Sequence, residues 1–158
     1  MKPIDVLFLC ETNAATSLMA EALVNSRGDI RLQAFSAGRM PAERMVEEAR
    51  EVLSARGIST DALEPKSWSI FSLPGARRPD LGVDLGTGCW TQPELAALSD
   101  EAPIMWPFED PALVDRPAER RKLAASVLET LARRVDRELY ARAEAIARRR
   151  QPALKMPA

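Results

Sequence analysis

Val6-Leu7-Phe8-Leu9 is a short apolar run that ends at Cys10, and a polar loop separates it from a helical pattern. In that pattern Ala14, Leu18 and Ala22 share one stripe, with Ala15, Met19 and Leu23 beside it. A buried strand, a tight turn and a helix in this order place the turn at the carboxyl edge of a parallel sheet, where open α/β folds bind ligands. The helix then aims its first N–H groups back at Cys10, which favours a thiolate and a bound anion. A cysteine nucleophile acting on an oxyanion requires this arrangement. The plainer alternative is that Cys10 is an apolar residue at a strand end, since free cysteine packs well. Asn13 and Ser17 are equally at home as helix-start residues.

A second strand–turn–helix pattern follows, and no internal repeat is found. Ser26-Arg27-Gly28-Asp29 stops the first helix, and Ile30 to Phe35 alternates so that Ile30, Leu32 and Ala34 share the apolar face of a second strand. Ser36-Ala37-Gly38 reads as a turn, and Pro41 as the opening of a helix carrying Met45, Ala49, Val52 and Leu53. Residues 58 to 79 are irregular. Leu81 to Gly86 is the third strand, with Leu81, Val83 and Leu85 on one face, although two glycines and an aspartate are poor strand formers. Gly86-Thr87-Gly88-Cys89-Trp90 turns at its carboxyl edge. A short helix over 93–98, a fourth strand within Ala102 to Trp106 and a long helix from Pro117 complete the pattern. Leu123, Val127, Leu131, Val135 and Leu139 mark the long helix at steady spacing, and Arg148 to Pro152 is its frayed polar tail. The expectation is a three-layer α/β domain over residues 1–158, a four-stranded parallel sheet with helices on both faces.

Several functions are excluded at this level. With 22 basic and 23 acidic residues, net charge −1, nothing in the overall charge calls for nucleic acid or an acidic membrane as partner. No apolar run approaches the ~20 residues that span a bilayer, and the N-terminus does not read as a signal peptide. Two cysteines far apart suit a reducing cytoplasm better than a disulfide framework. Histidine is absent, which removes His-containing zinc sites, Ser-His-Asp triads and Cys-His dyads; no metal or other cofactor is expected.

Cys10, Asn13, Ser17, Met19, Ala20 and Glu21 together resemble the active-site loop of the low-molecular-weight protein tyrosine phosphatases and of the arsenate reductases that share their fold. A strand ending Ser36-Ala37-Gly38 and the stretch from Trp106 through Asp110-Pro111 extend the resemblance. It implies a sheet order of 2-1-3-4 and a ligand that is a small oxyanion (arsenate or phosphate) or a phosphorylated substrate. Cys10 would be the nucleophile, and Glu11, Thr12, Asn13, Ala14, Ala15 and Thr16 the anion-binding loop. Asn13 would hold the loop in shape, Ser17 would donate to the thiolate, and Asp110 would be the general acid on a loop over the pocket. In the arsenate reductases a resolving cysteine follows the third strand. Cys89 lies on that segment, slightly beyond the position occupied here by Gly86, so it is either a redox partner served by a thiol reductant or a bystander beside Trp90.

Two positions depart from the pattern. Thr12 stands where the family has glycine, and Thr16 where it has an arginine that forks onto two anion oxygens. Threonine offers one hydroxyl in place of that planar contact, and a lost donor of this kind lowers rates ~100- to 1000-fold. Weakened activity is therefore expected. A non-catalytic binding relative and a cysteine-based redox protein remain open, with Arg39 or Arg44 as candidate substitutes for the missing guanidinium.

Overall fold

The computed structural model describes residues 2–151. Four strands, β1 (Ile4–Cys10), β2 (Leu32–Gly38), β3 (Leu81–Asp84) and β4 (Ile104–Met105), form one parallel sheet in the order β2-β1-β3-β4. The helices are α1 (Thr16–Ser26), α2 (Glu47–Ala55), α3 (Gln92–Leu98), α4 (Pro117–Arg134) and α5 (Tyr140–Arg150). Strand β1 is central because both of its faces are apolar. Val6, Phe8 and Cys10 pack toward α1, α2, α4 and α5, while Leu7 and Leu9 pack toward α3 and the 3₁₀ turn at Trp68–Ser72. A strand buried on both faces reads as a continuous apolar run, as β1 does. Helix α1 is buried from Thr16 to Val24, and within that run Glu21 is the one ionisable residue.

The second unit differs from the sequence-based expectation at both ends. Ile30 is 88% exposed and belongs to the turn that Asp29 and Arg31 close, so the strand starts at Leu32. At its other end Ser36-Ala37-Gly38 continues the strand, because β1 runs alongside up to the pair Cys10↔Gly38. Pro41 opens no helix. The backbone N–H groups of Ala42 and Val46 donate to Thr12 and Ala14 carbonyls, and α2 begins only after that commitment ends, at Glu47.

Smaller corrections follow the same logic. Strand β3 stops at Asp84 and is buried at all four positions, not on one face; Gly82 lets Ser99 approach, since a Cβ there would sit 3.3 Å from its Oγ. The fourth strand is only two residues long. The long helix is two α-segments joined by a π-turn at Val135–Leu139. A stripe repeating every four residues drifts about 40° per step around an α-helix, and a π-turn, with its extra residue, absorbs that drift so that Val135 and Leu139 stay buried. The arginines at the end of α5 are engaged: Arg148 pairs with Glu144, Arg149 with Glu101 and Arg150 with Asp80, while Pro152 lies outside the described residues. Among the described residues no helix is long and apolar enough to cross a membrane.

The closest backbone approach is at Gly38, where a Cβ would lie 2.9 Å from Asn13 N, Asn13 Cβ and Glu11 O. Those atoms are mostly backbone and cannot swing aside. Gly38→Ala is expected to destabilise the protein by about 1–3 kcal/mol in urea unfolding and to change the alkylation rate of Cys10; unchanged stability would show that the loop yields.

Candidate active site

The loop from Cys10 to Thr16 is turned by its carbonyls. Arg39 N–H donates to Cys10 O (3.2 Å), Met40 to Glu11 O (2.8 Å), Ala42 to Thr12 O (2.9 Å) and Val46 to Ala14 O (2.9 Å). In a trans peptide the carbonyl and the next N–H point in opposite directions, and no described peptide is cis. The amides of Glu11, Thr12, Asn13 and Ala15 therefore face away from residues 39–46. The Asn13 amide reaches Cys10 Sγ at 3.3 Å.

Asn13 sits at φ 47°, a left-handed conformation that asparagine tolerates better than most residues. Its side chain holds it there. Oδ1 accepts from Lys66 N–H (2.8 Å), and Nδ2 donates to Ser17 Oγ (2.7 Å) and Ser36 Oγ (2.9 Å). With its oxygen engaged by Asn13, the Ser17 hydroxyl has its proton free for Cys10 Sγ, 2.9 Å away. Neither Asn13 nor Ser17 caps α1, which has no side-chain cap.

A pocket of 560 Å³ opens over the sulfur. Cys10, Glu11, Thr16, Cys89, Glu109 and Asp110 are on its wall, and among the described residues none that lines it is basic. Asn13, Ala14, Ala15 and Ser17 lie buried behind the loop, off that wall. Thr12 acts through Asp110: its hydroxyl donates to Oδ2 at 2.8 Å while the other carboxylate oxygen accepts from Ala112 N–H. Thr16 Oγ1 is buried without a partner among the described residues. The two arginines considered as substitutes do not reach the pocket. Arg39 is held by Glu94 (2.8 Å) against the rings of Trp68 and Trp90, and Arg44 is exposed on the 39–46 segment.

Burial, and after it the negative charge of Asp110, pushes the Cys10 thiol above the usual range, against hydrogen bonds from Ser17 and Asn13 that pull it down. Its weak acidity thus arises from burial and Asp110. Cys89 is pushed up to about 11, first by burial and then by Asp84, Cys10 and Glu11. The two cysteines flank Gly86: a Cβ there would sit 3.1 Å from Cys89 Sγ and 3.9 Å from Cys10 Cα. Both thiols are free. Sequence reasoning missed Asp84, whose Oδ1 accepts from Gly86 N–H and whose Oδ2 is buried without a partner. It quoted Glu21 and Ser36 for the resemblance without giving them a role at the site, and it passed over Lys66. Glu21 had a signal, a lone carboxylate inside an apolar helix; Lys66, arriving from a distant irregular segment, had none. Among the described residues no three of His, Cys, Asp and Glu converge to hold a metal ion.

Comparison with known proteins agrees with this geometry. The model of the low molecular weight phosphotyrosine protein phosphatase family matches residues 5–81. The solved arsenate reductase of Archaeoglobus fulgidus is 30% identical, with a TM-score of 0.61 over 83% of this chain and 98% of that one. The chain belongs to this family. A low molecular weight protein tyrosine phosphatase from T. tengcongensis is 25% identical (TM-score 0.59, 83% of this chain and 99% of that one). A thioredoxin-dependent arsenate reductase from Corynebacterium glutamicum shares the fold at 24% identity (TM-score 0.60, 90% of this chain and 63% of that one). No curated protein matches the chain by sequence.

Because Cys89 stays protonated until about pH 11, its alkylation rate should climb with pH through that value and be slow at neutrality. Peptide-resolved mass spectrometry after timed iodoacetamide labelling checks this; a rate already level at pH 8 would contradict it.

Proposed function

We propose that this family member is an arsenate reductase in which Cys10 and Cys89 supply the electrons. The observation that supports the reading is that both cysteines line one pocket and both lie close to Gly86. Cys10 sulfur attacks arsenic while its proton passes, with Asp110 as relay, to an arsenic-bound hydroxyl, which leaves as water. Cys89 sulfur then attacks Cys10 sulfur, and the Cys89 proton passes to an arsenic-bound oxygen. The S–As bond breaks with its electron pair going to arsenic, which becomes trivalent arsenite, and a Cys10–Cys89 disulfide remains. A thiol reductant reopens it; the thioredoxin dependence named for the Corynebacterium relative supports that class of donor. The amides turned away from residues 39–46, with the Ser17 hydroxyl, support the anion and the sulfur in this scheme. Thr16, in the position where the resemblance places arginine, leaves turnover slower than a guanidinium would. A reducing cytoplasm is the compartment that keeps both thiols available.

A second reading is phosphate-ester hydrolysis through Cys10 and Asp110 alone, favoured by the tyrosine phosphatase likeness. Cys89 separates the two.

Purified protein with arsenate and a thioredoxin system should consume reductant in a manner abolished by Cys10→Ser and by Cys89→Ser. Hydrolysis of p-nitrophenyl phosphate that survives Cys89→Ser, with no arsenate reduction, would favour the second reading. Thiol-independent turnover would overturn both. Thr16→Arg is expected to raise kcat/KM roughly 100-fold, measured with the same substrates.

A further inference from the structure

Arg39 joins the two cysteine-bearing segments. Its backbone N–H donates to Cys10 O at 3.2 Å, which ties it to the end of β1. Its side chain reaches the segment that carries Cys89. The guanidinium donates to Glu94 Oε1 at 2.8 Å and lies over the rings of Trp90 (4.9 Å to the ring centre) and Trp68 (5.3 Å). The two rings meet edge to face, 5.4 Å apart. Trp90, the neighbour of Cys89, is buried, and Glu94 accepts from Thr91 N–H through its other oxygen at 3.2 Å.

Little else holds that segment. Gly86 N–H is fixed by Asp84 Oδ1, and α3 begins at Gln92. Between these points, among the described residues, no amide or carbonyl of residues 87–90 bonds to another backbone group. The place of Cys89 thus depends on where Trp90 is anchored: in the apolar cluster with Leu95 and Leu98, and against the Arg39 guanidinium.

We propose that Arg39 is a positioning residue for Cys89. It clasps Trp90 and Glu94 while its backbone holds Cys10, and so keeps the two cysteines at a separation from which their disulfide closes. The inference rests on the Cys10–Cys89 pair of the proposed function and on nothing about the anion. Arg39 acts on that pair without entering the pocket.

The physical argument is one of local concentration. Cys89 Sγ and Cys10 Cα both lie within 4 Å of the Cβ position that Gly86 leaves empty. A disulfide needs its Cα atoms within ~7 Å of each other, and a turn free to wander meets that condition for a smaller share of the time. The clasp orders the turn before the sulfurs react. Arginine suits the task because a flat guanidinium lies on an aromatic ring and donates to a carboxylate at once.

The test is the equilibrium of the full chain with glutathione redox buffers at pH 7.5, read by mass spectrometry as the fraction of chains two hydrogens lighter. The two thiols give two electrons and two protons to oxidised glutathione, leaving the Cys10–Cys89 disulfide and two reduced glutathione molecules. Arg39→Met keeps the N–H on Cys10 O and removes the clasp. It should lower the formation constant of the disulfide ~10-fold, a rise of ~30 mV in its potential. Arg39→Lys, which keeps a cation for the rings and Glu94, should stay within ~3-fold of the parent. Alkylation of Cys10 by iodoacetamide in the reduced proteins should be the same in all three, because the clasp bears on Cys89. Equal potentials for the parent and Arg39→Met would overturn the proposal. So would a lower potential in Arg39→Met, which would mean that the clasp holds Cys89 back, and so would a changed Cys10 rate, which would mean a general loss of structure. A parent that forms no disulfide at any glutathione ratio would remove the cysteine pair and the arsenate reading together. The expected shift in a protein that leaves arsenate unreduced would support the clasp and count against the arsenate reading alone.

Discussion

The whole site depends on which way four peptide planes face. The segment 39–46 takes up the carbonyls of Cys10, Glu11, Thr12 and Ala14, and the planarity of the peptide unit then fixes the amides on the opposite side. No charged residue is needed for this. It costs helix instead: residues 41–46 have an apolar spacing that suits α-helix, yet Ala42 and Val46 have already spent their N–H groups on the loop. A buried carbonyl left unpaired would cost about 1–3 kcal/mol, while the helix preference of a single residue is worth at most ~0.7 kcal/mol. Tertiary hydrogen bonding decides the local structure, and α2 begins where the demand stops.

This explains what was legible in the sequence and what was not. The strand order and the central place of β1 came with the family resemblance, and the apolar run of β1, buried on both faces, is consistent with that place. The strand ends were not, since Gly38 continues β2 only because Cys10 lies beside it in the neighbouring strand. The partners of Asn13 were equally hidden. A sequence displays Asn13 and Ser17 at a suggestive spacing, but Ser36 and Lys66 reach them from 23 and 53 residues away. Threonine at position 12 was read as a departure from glycine; its hydroxyl proves to be the group that holds Asp110 Oδ2. Arg39 shows the converse. It is close to Cys10 in the fold through its backbone, yet its guanidinium is drawn off by two tryptophans and Glu94.

The charge of the pocket raises the question of how a dianion would enter at all. Glu11, Glu109 and Asp110 are on or near its wall, and no lysine or arginine is among the residues lining it. Two effects oppose that repulsion. On the proposed reading, the amides turned away from residues 39–46 present partial positive charge that requires no counter-ion. The second effect is the weak acidity of the two sulfurs, which would ordinarily count against catalysis. A thiol that stays protonated adds no charge to a cavity that already holds three carboxylates, and two neutral thiols leave it less hostile than two thiolates would.

On the proposed reading, the proton on Cys10 then has a natural destination. An arsenate dianion is a base, and the Cys10 proton can move onto it as the sulfur attacks, so that nucleophile and leaving oxygen are activated in one transfer. The anion would enter against a neutral sulfur, and the thiolate would exist only when arsenic is there to share its charge. An arginine in the loop would stabilise the anion and the thiolate together, making the order of these events immaterial. With Thr16 in that position the order matters, and the burial that keeps Cys10 protonated becomes part of how the site tolerates its substrate.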